Sequence, residues 1–110
     1  MPVWKLAMEI AVDVFELTVR LPKSEDYALT SQLRRSSESI SSNIAEGFGR
    51  STAPDKKRFY VISRGSAYET KSHLIYGHKV NYFSKEEIEQ IFKKTEDVIH
   101  ELNKLMRALN

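Results

Sequence analysis

The sequence predicts an all-α protein, an antiparallel up-and-down four-helix bundle folded as a single domain over residues 1–110. Three observations predict it. Apolar residues recur at three- and four-residue steps in four separate stretches. Pro and Gly are sparse, and the segments between them are mostly roughly 20 to 30 residues long, the spacing of helical hairpins rather than strands. Two of the segments open on capping patterns, Thr52 with Asp55 and Ser84 with Glu87.

The first helix is placed near residues 2–21. Pro2 suits its first turn and Pro22 ends it. Trp4, Ala11 and Thr18 form one seam and Ala7, Val14 and Leu21 the other. Val3, Ile10 and Leu17 flank one side, Met8 and Phe15 the other. This apolar face is wider than a two-seam stripe, so the helix can contact more than its own bundle. The second helix, near 27–47, spaces Leu29, Leu33, Ile40, Ile44 and Phe48 helically, with Ser36, Ser37, Ser39, Ser41 and Ser42 between them. Serine is a mediocre helix former, so this helix depends on packing, and its small side chains permit close approach of a neighbour. Gly47 reads as its terminator.

The third helix, near 53–80, takes Phe59, Ile62, Ser66, Thr70, Leu74 and Gly77 as its inner face. Gly65, Ser66 and Ala67 are again small, so helices 2 and 3 are expected to pack through small residues. The fourth helix follows the Ser84–Glu87 capping box. Ile88, Thr95, Leu102 and Leu109 form one seam and Ile91, Val98 and Leu105 the other, widened by Phe92, Ile99 and Met106. Glu86, Glu87 and Glu89 near its start and Lys104 and Arg107 near its end complement the helix dipole.

Composition excludes several classes. With no cysteine there is no disulfide and no thiolate metal site, which suits a reducing compartment. The longest runs without Asp, Glu, Lys or Arg are seven residues, such as Ser39 to Ala45. A spanning helix needs about 20 apolar residues. No basic stretch followed by an apolar one stands at the N-terminus, and the expected location is cytoplasmic. Charge is uneven: residues 34–79 carry 9 basic and 4 acidic side chains, net +5, whereas residues 1–33 are net −2 and 80–110 net −1.

Two constellations stand apart from the core pattern. Gln32, Arg35, Ser39, Asn43, Glu46 and Arg50 step by three or four along helix 2 and share one face. The plain reading is a solvated face with a Glu46–Arg50 ion pair, which requires the helix to run past Gly47. The sharper reading is a buried or interfacial polar network, with Gln32, Ser39, Asn43 and Glu46 at a subunit boundary. The second constellation is basic: Arg34, Arg35, Arg50, Lys56, Lys57, Arg58 and Arg64, with Lys71 beyond. Lys57, Arg64 and Lys71 repeat every seven residues, with Tyr60 and Tyr68 near that side. Cations interleaved with aromatics can hold a phosphate backbone and stack bases; the plain reading is ordinary surface charge.

Catalysis finds no support. A di-metal bundle site needs Glu from two helices and Glu-x-x-His from two more. The nearest match, Asp97 with His100, falls outside the seams of helix 4. Glu69 and His73 form a lone i, i+4 pair, and His78 has no evident partner. The serines crowd a helix interior, and Gly47-Phe48-Gly49 lacks the spacing of a phosphate loop. No enzyme activity, metal or cofactor is expected.

Several runs carry a family resemblance: Leu29-Thr30-Ser31-Gln32-Leu33-Arg34-Arg35, Ser39-Ile40, Ser42-Asn43-Ile44-Ala45-Glu46-Gly47-Phe48-Gly49-Arg50, and Gly65-Ser66 with Glu69. With Val3-Trp4 and Leu21-Pro22-Lys23, they resemble the bacterial four-helix bundle family named for intervening-sequence proteins, found within large-subunit ribosomal RNA genes. The chain departs from that pattern at Ser41, where Pro is usual, at Ser36, Ser37 and Glu38, where Ala, Ala and Val are common, and at Ala28, where Gly is frequent. A less kinked helix 2 follows, with a wetter stretch at Glu38. The family is similar to accessory proteins of diversity-generating retroelements, which form five-fold barrels and bind nucleic acid and a reverse transcriptase. The resemblance implies a homo-oligomer, a pentamer, without assigned enzymatic activity. The reading that combines these threads is a homo-oligomeric bundle binding RNA or DNA weakly through the Arg34 to Arg64 region. The rival is an adaptor whose basic face receives an acidic or reverse-transcriptase-like partner.

Overall fold

A computed structural model describes residues 1–109. Four helices follow in order: α1 (Pro2–Thr18), α2 (Leu29–Phe48), α3 (Ala53–Lys79) and α4 (Lys85–Ala108), with a single 3-10 turn at Lys23–Glu25. Each helix packs against its two neighbours in the cycle α1–α2–α3–α4, with no diagonal backbone approach. Short links make consecutive helices antiparallel, which is the expected up-and-down bundle. Its long dimension is 44 Å, close to the ~40 Å that a helix the length of α3 spans at about 1.5 Å per residue.

Helix ends follow side-chain chemistry. Thr52 accepts from the Asp55 N–H at 3.3 Å and opens α3. Ser84 and Glu87 form a complete capping box, at 3.1 and 2.7 Å. Helix α1 stops at Thr18, three residues before the expected end. Thr18 donates its hydroxyl to Val14 O at 2.7 Å, turning its side chain onto its own backbone, and the chain then turns into Pro22, which disfavours helix in the residue before it. Helix α3 ends in a motif absent from the sequence reading. Asn81 adopts φ 68°, the Tyr82 N–H donates to Gly77 O at 2.9 Å, and the Asn81 N–H donates to His78 O at 3.0 Å. This is a Schellman close with Asn in the left-handed position. His78, which had no evident partner, hydrogen-bonds through Nδ1 with Phe83 O at 2.9 Å.

Three core assignments need correction. On α1 the buried line is Val3, Ala7, Ile10, Val14 and Thr18. The expected Ala7–Val14 seam stands, but its buried neighbours are Val3 and Ile10 from the expected flank, whereas Trp4 and Ala11 of the other seam are only partly buried. On α3 the buried line runs Tyr60, Ser63, Ala67, Thr70, Leu74 and Gly77, with Ser66 beside it. Ile62 is exposed and Phe59 partly so, because the seam at that end is set one residue later. Gly47 is no terminator. It lies inside α2, and a Cβ there would stand 2.7 Å from Tyr60 Cε1 and 3.1 Å from Lys56 O. Helix α2 closes two residues later, at Gly49.

The small-residue contact between α2 and α3 is as expected. Ser36 and Thr70 hydroxyls meet at 2.9 Å, Ser66 donates to Ser39 Oγ at 2.9 Å, and Ser63 donates to Ile40 O at 2.8 Å. Helix α2 runs uninterrupted through Ser41, and Glu38 is exposed. The α4 seams also stand: Ile88, Ile91, Thr95, Val98, Ile99, Leu102 and Met106 are buried, with Phe92, Leu105 and Leu109 packed against them. No described helix is long and apolar enough to cross a membrane.

Candidate nucleic-acid interface

The seven basic residues singled out in the sequence do not form one patch. The antiparallel hairpin of α2 and α3 distributes them over three places: the body of α2, whose two arginines part to opposite flanks, the tip of the hairpin, and the side of α3.

Arg34 turns toward α1. Its Nε donates to Thr18 Oγ1 at 2.8 Å, and its guanidinium lies 4.5 Å from the Phe15 ring centroid. It is a clasp between α1 and α2. Arg35 points the other way, ion-paired with Glu69 of α3 and donating to Gln32 Oε1 at 3.1 Å. Glu69 also pairs with His73 at 3.2 Å. These groups belong to the polar stripe, which falls into separate hydrogen-bonded groups along α2, two of them reaching α3. Asn43 Nδ2 donates to Ser39 O at 2.8 Å and to Ser39 Oγ at 2.9 Å, and Ser39 in turn accepts from Ser66. Gln32 and Glu46 are exposed. Glu46 pairs with Arg50 at 3.2 Å, the i, i+4 contact that needed helix past Gly47.

The second place is the tip where α2 turns into α3. Arg50 and Arg58 lie 4.5 and 4.3 Å from the centroid of Phe59, so one ring is held by two guanidinium groups. Lys56 donates to Phe48 O at 2.8 Å, satisfying a carbonyl that the end of α2 leaves free, and its ammonium lies 5.7 Å from the Phe48 ring. Phe48 is 64% exposed, although helical spacing had grouped it with the core positions. The tip therefore presents three cations and an outward aromatic ring within one turn of chain.

The third place is the side of α3 facing α4. Arg64 Nη1 donates to Asn103 Oδ1 at 2.8 Å. Lys71 lies 3.6 Å from Glu96 and 4.6 Å from the Phe92 centroid. Lys57 and Arg64 share a groove with Arg107 and Asn103 of α4. Neither of those two is marked as a site residue by the sequence: Arg107 reads as a partner of the helix dipole, and nothing in the α4 pattern marks Asn103.

The opposite side of the molecule is acidic. A groove of about 430 Å³ between α1 and α4 is lined by Asp13, Glu16, Glu86 and Glu87, with Arg20 and Lys94 among them. Arg20 holds the Glu87 carboxyl down at about 2, helped by the Ser84 N–H. Lys94 bridges Asp13 at 2.8 Å and Glu9 at 3.3 Å, and those carboxylates raise its pKa. Asp97 and His100 are exposed on α4, and no three His, Asp or Glu among the described residues are grouped to hold a metal. Helix α1 carries its surplus apolar surface outward: Met8, Val12, Phe15 and Val19 are 37–63% exposed, on one side of the helix.

Fold and surface together define a helical bundle with a basic, aromatic tip and an exposed apolar stripe on α1. The chain belongs to the 23S rRNA-intervening sequence protein family, whose model matches residues 1–104. A crystal structure of a protein with unknown function from the S23 ribosomal protein family, from Bacteroides thetaiotaomicron VPI-5482, superposes with a TM-score of 0.85. It shares 22% identity, and the match covers 94% of this chain and 97% of that one. That likeness speaks for the fold. No curated protein matches the chain. Neither the family description nor that of the crystal structure names a reaction.

Proposed function

We propose that this protein is a non-enzymatic bundle that assembles with copies of itself and binds RNA or DNA weakly through the α2–α3 end. The observation that carries the reading is the tip: Arg50, Lys56 and Arg58 gathered around Phe59 and the exposed Phe48. Cations so placed attract phosphates of any sequence, and an exposed ring can stack on any base. Lys57 and Arg64 extend the same charge along α3, while Arg34 and Arg35 serve mainly inside the protomer. The test is the mobility of a labelled RNA in rising salt. Binding should weaken steeply as salt increases; no binding at low salt, or binding indifferent to salt, overturns the reading.

Self-assembly is supported by the outward stripe of Met8, Val12, Phe15 and Val19, since exposed apolar patches of this kind mark contact surfaces. We place a second contact along Gln32, Ser39, Asn43 and Glu46. The two stripes lie on opposite flanks of α2, as head-to-tail contact between successive copies requires, and a closed pentamer is the assembly this reading expects. Light scattering tests it. The mass should be a multiple of the 12.7 kDa protomer, and Glu46→Ala should lower it. A lone protomer at high concentration would instead favour the adaptor, with the α1 stripe taken by another protein.

A further inference from the structure

Several of the protein's cations are already answered by carboxylates. Arg35 meets Glu69, Arg50 meets Glu46, Arg58 meets Asp55, Lys71 meets Glu96, and Lys94 meets Glu9 and Asp13. One cluster is not. The groove between the start of α3 and the end of α4 encloses about 360 Å³ and is lined by Lys57, Val61, Arg64, Asn103, Met106 and Arg107. No carboxylate lines it, and none of its three cations makes an ion pair among the described residues.

The groove is also partly organised. Arg64 Nη1 donates to Asn103 Oδ1 at 2.8 Å. An amide oxygen carries no net charge, so the bond orients the guanidinium without neutralising it. The same bond fixes the Asn103 amide, whose NH2 group keeps its two donors. Val61 and Met106 give the groove apolar walls, and low-polarity walls strengthen attraction to an entering anion. A guanidinium fork suits the paired oxygens of a phosphate group.

We propose that this groove is a phosphate site, with Lys57, Arg64 and Arg107 as its cations and the Asn103 amide as a neutral donor. It rests on the nucleic-acid reading only for the source of the phosphate. A backbone phosphodiester and free pyrophosphate present the same oxygens.

The experiment is amide and side-chain NMR of the full chain, titrated in one arm with inorganic pyrophosphate and in the other with a short single-stranded RNA. The Asn103 side-chain amide and the Arg64 Nε–H should shift in both arms. Arg64→Gln should weaken pyrophosphate binding roughly tenfold, the loss of a charged hydrogen bond. Arg107→Gln and Lys57→Gln should each lower the salt slope of RNA binding by about one. Asn103→Asp places a carboxylate beside Arg64 and should abolish the shifts with the helical circular dichroism unchanged, which separates loss of the site from loss of the fold. Groove shifts with pyrophosphate, and no shift of any resonance with RNA, uphold the groove and sink the nucleic-acid reading. RNA binding that depends on Arg50 and Arg58 while the groove resonances stay still sinks the groove and leaves that reading standing. Stillness of every resonance in both arms overturns both.

Discussion

The two long sides of the bundle are built from different materials. Helices α1 and α4 bury mainly aliphatic groups: Val3, Ala7, Ile10 and Val14 on one, Ile88, Ile91, Val98, Ile99 and Leu102 on the other. Their charges sit at the rim, where Lys94 reaches across to Glu9 and Asp13. Helices α2 and α3 bury Ser36, Ser37, Ser41, Ser63, Ser66 and Thr70 among Leu29, Leu33, Ile40, Ile44, Tyr60 and Leu74. There the helices come close enough for Ser63 of α3 to reach a backbone carbonyl of α2. Aliphatic seams gain from buried area and forgive small shifts. Hydroxyl seams gain less area, but each bond fixes register, because a displaced hydroxyl would be left buried without a partner.

The largest effect is expected on the aliphatic side. Leu102 is fully buried, so Leu102→Ala should cost about 3 kcal/mol in urea unfolding. A loss under ~1 kcal/mol would mean that this seam is not where the stability lies. Next comes close approach on the hydroxyl side. Gly47→Ala drives a methyl into the Tyr60 ring, at 2.7 Å from Cε1. It should destabilise by about 2 kcal/mol, the cost of overpacking offset in part by better helix propensity. Gly65→Ala supplies the contrast. Nothing stands within 4 Å of a Cβ there, so the same exchange on the same helix pair should stabilise by up to ~1 kcal/mol. Equal effects at the two glycines would remove the argument for tight packing at Gly47.

The smallest effect concerns the rim and depends on pH. Arg20 and the Ser84 N–H hold the folded Glu87 carboxyl at about 2, below its ordinary 4.5. A depressed carboxyl stabilises the fold above its ordinary pKa and loses that contribution as pH falls toward the folded value. Glu87→Gln should therefore cost under ~1 kcal/mol at pH 7, since the pair is solvent-exposed. The variant's acid unfolding curve should be flatter than the parent's between pH 4.5 and 2. Parallel curves would show that the capping box alone matters.

Much of this fold was legible in the chain. Capping chemistry is local, so Thr52 and Ser84 marked helix starts that the structure keeps. The α4 seams were legible because a helix with one strongly apolar side has one way to turn. Helix α1 was harder for the opposite reason. Apolar residues surround most of its circumference, and period alone could not choose between Val3–Ile10 and Trp4–Ala11 as the inner line. Gly47 misled because a glycine near a helix end reads as a stop, whereas a ring from α3 makes it a contact.

Sequence by itself determined four helices, their order, their caps and the serine-rich meeting of α2 with α3, because each rests on periodicity or on bonds a few residues long. Tertiary structure decided which cations face one another. Arg34 and Arg35 are adjacent in the chain yet part to α1 and α3, because successive helical positions point about 100° apart. Arg64, Asn103 and Arg107 share a groove only because α3 and α4 run side by side.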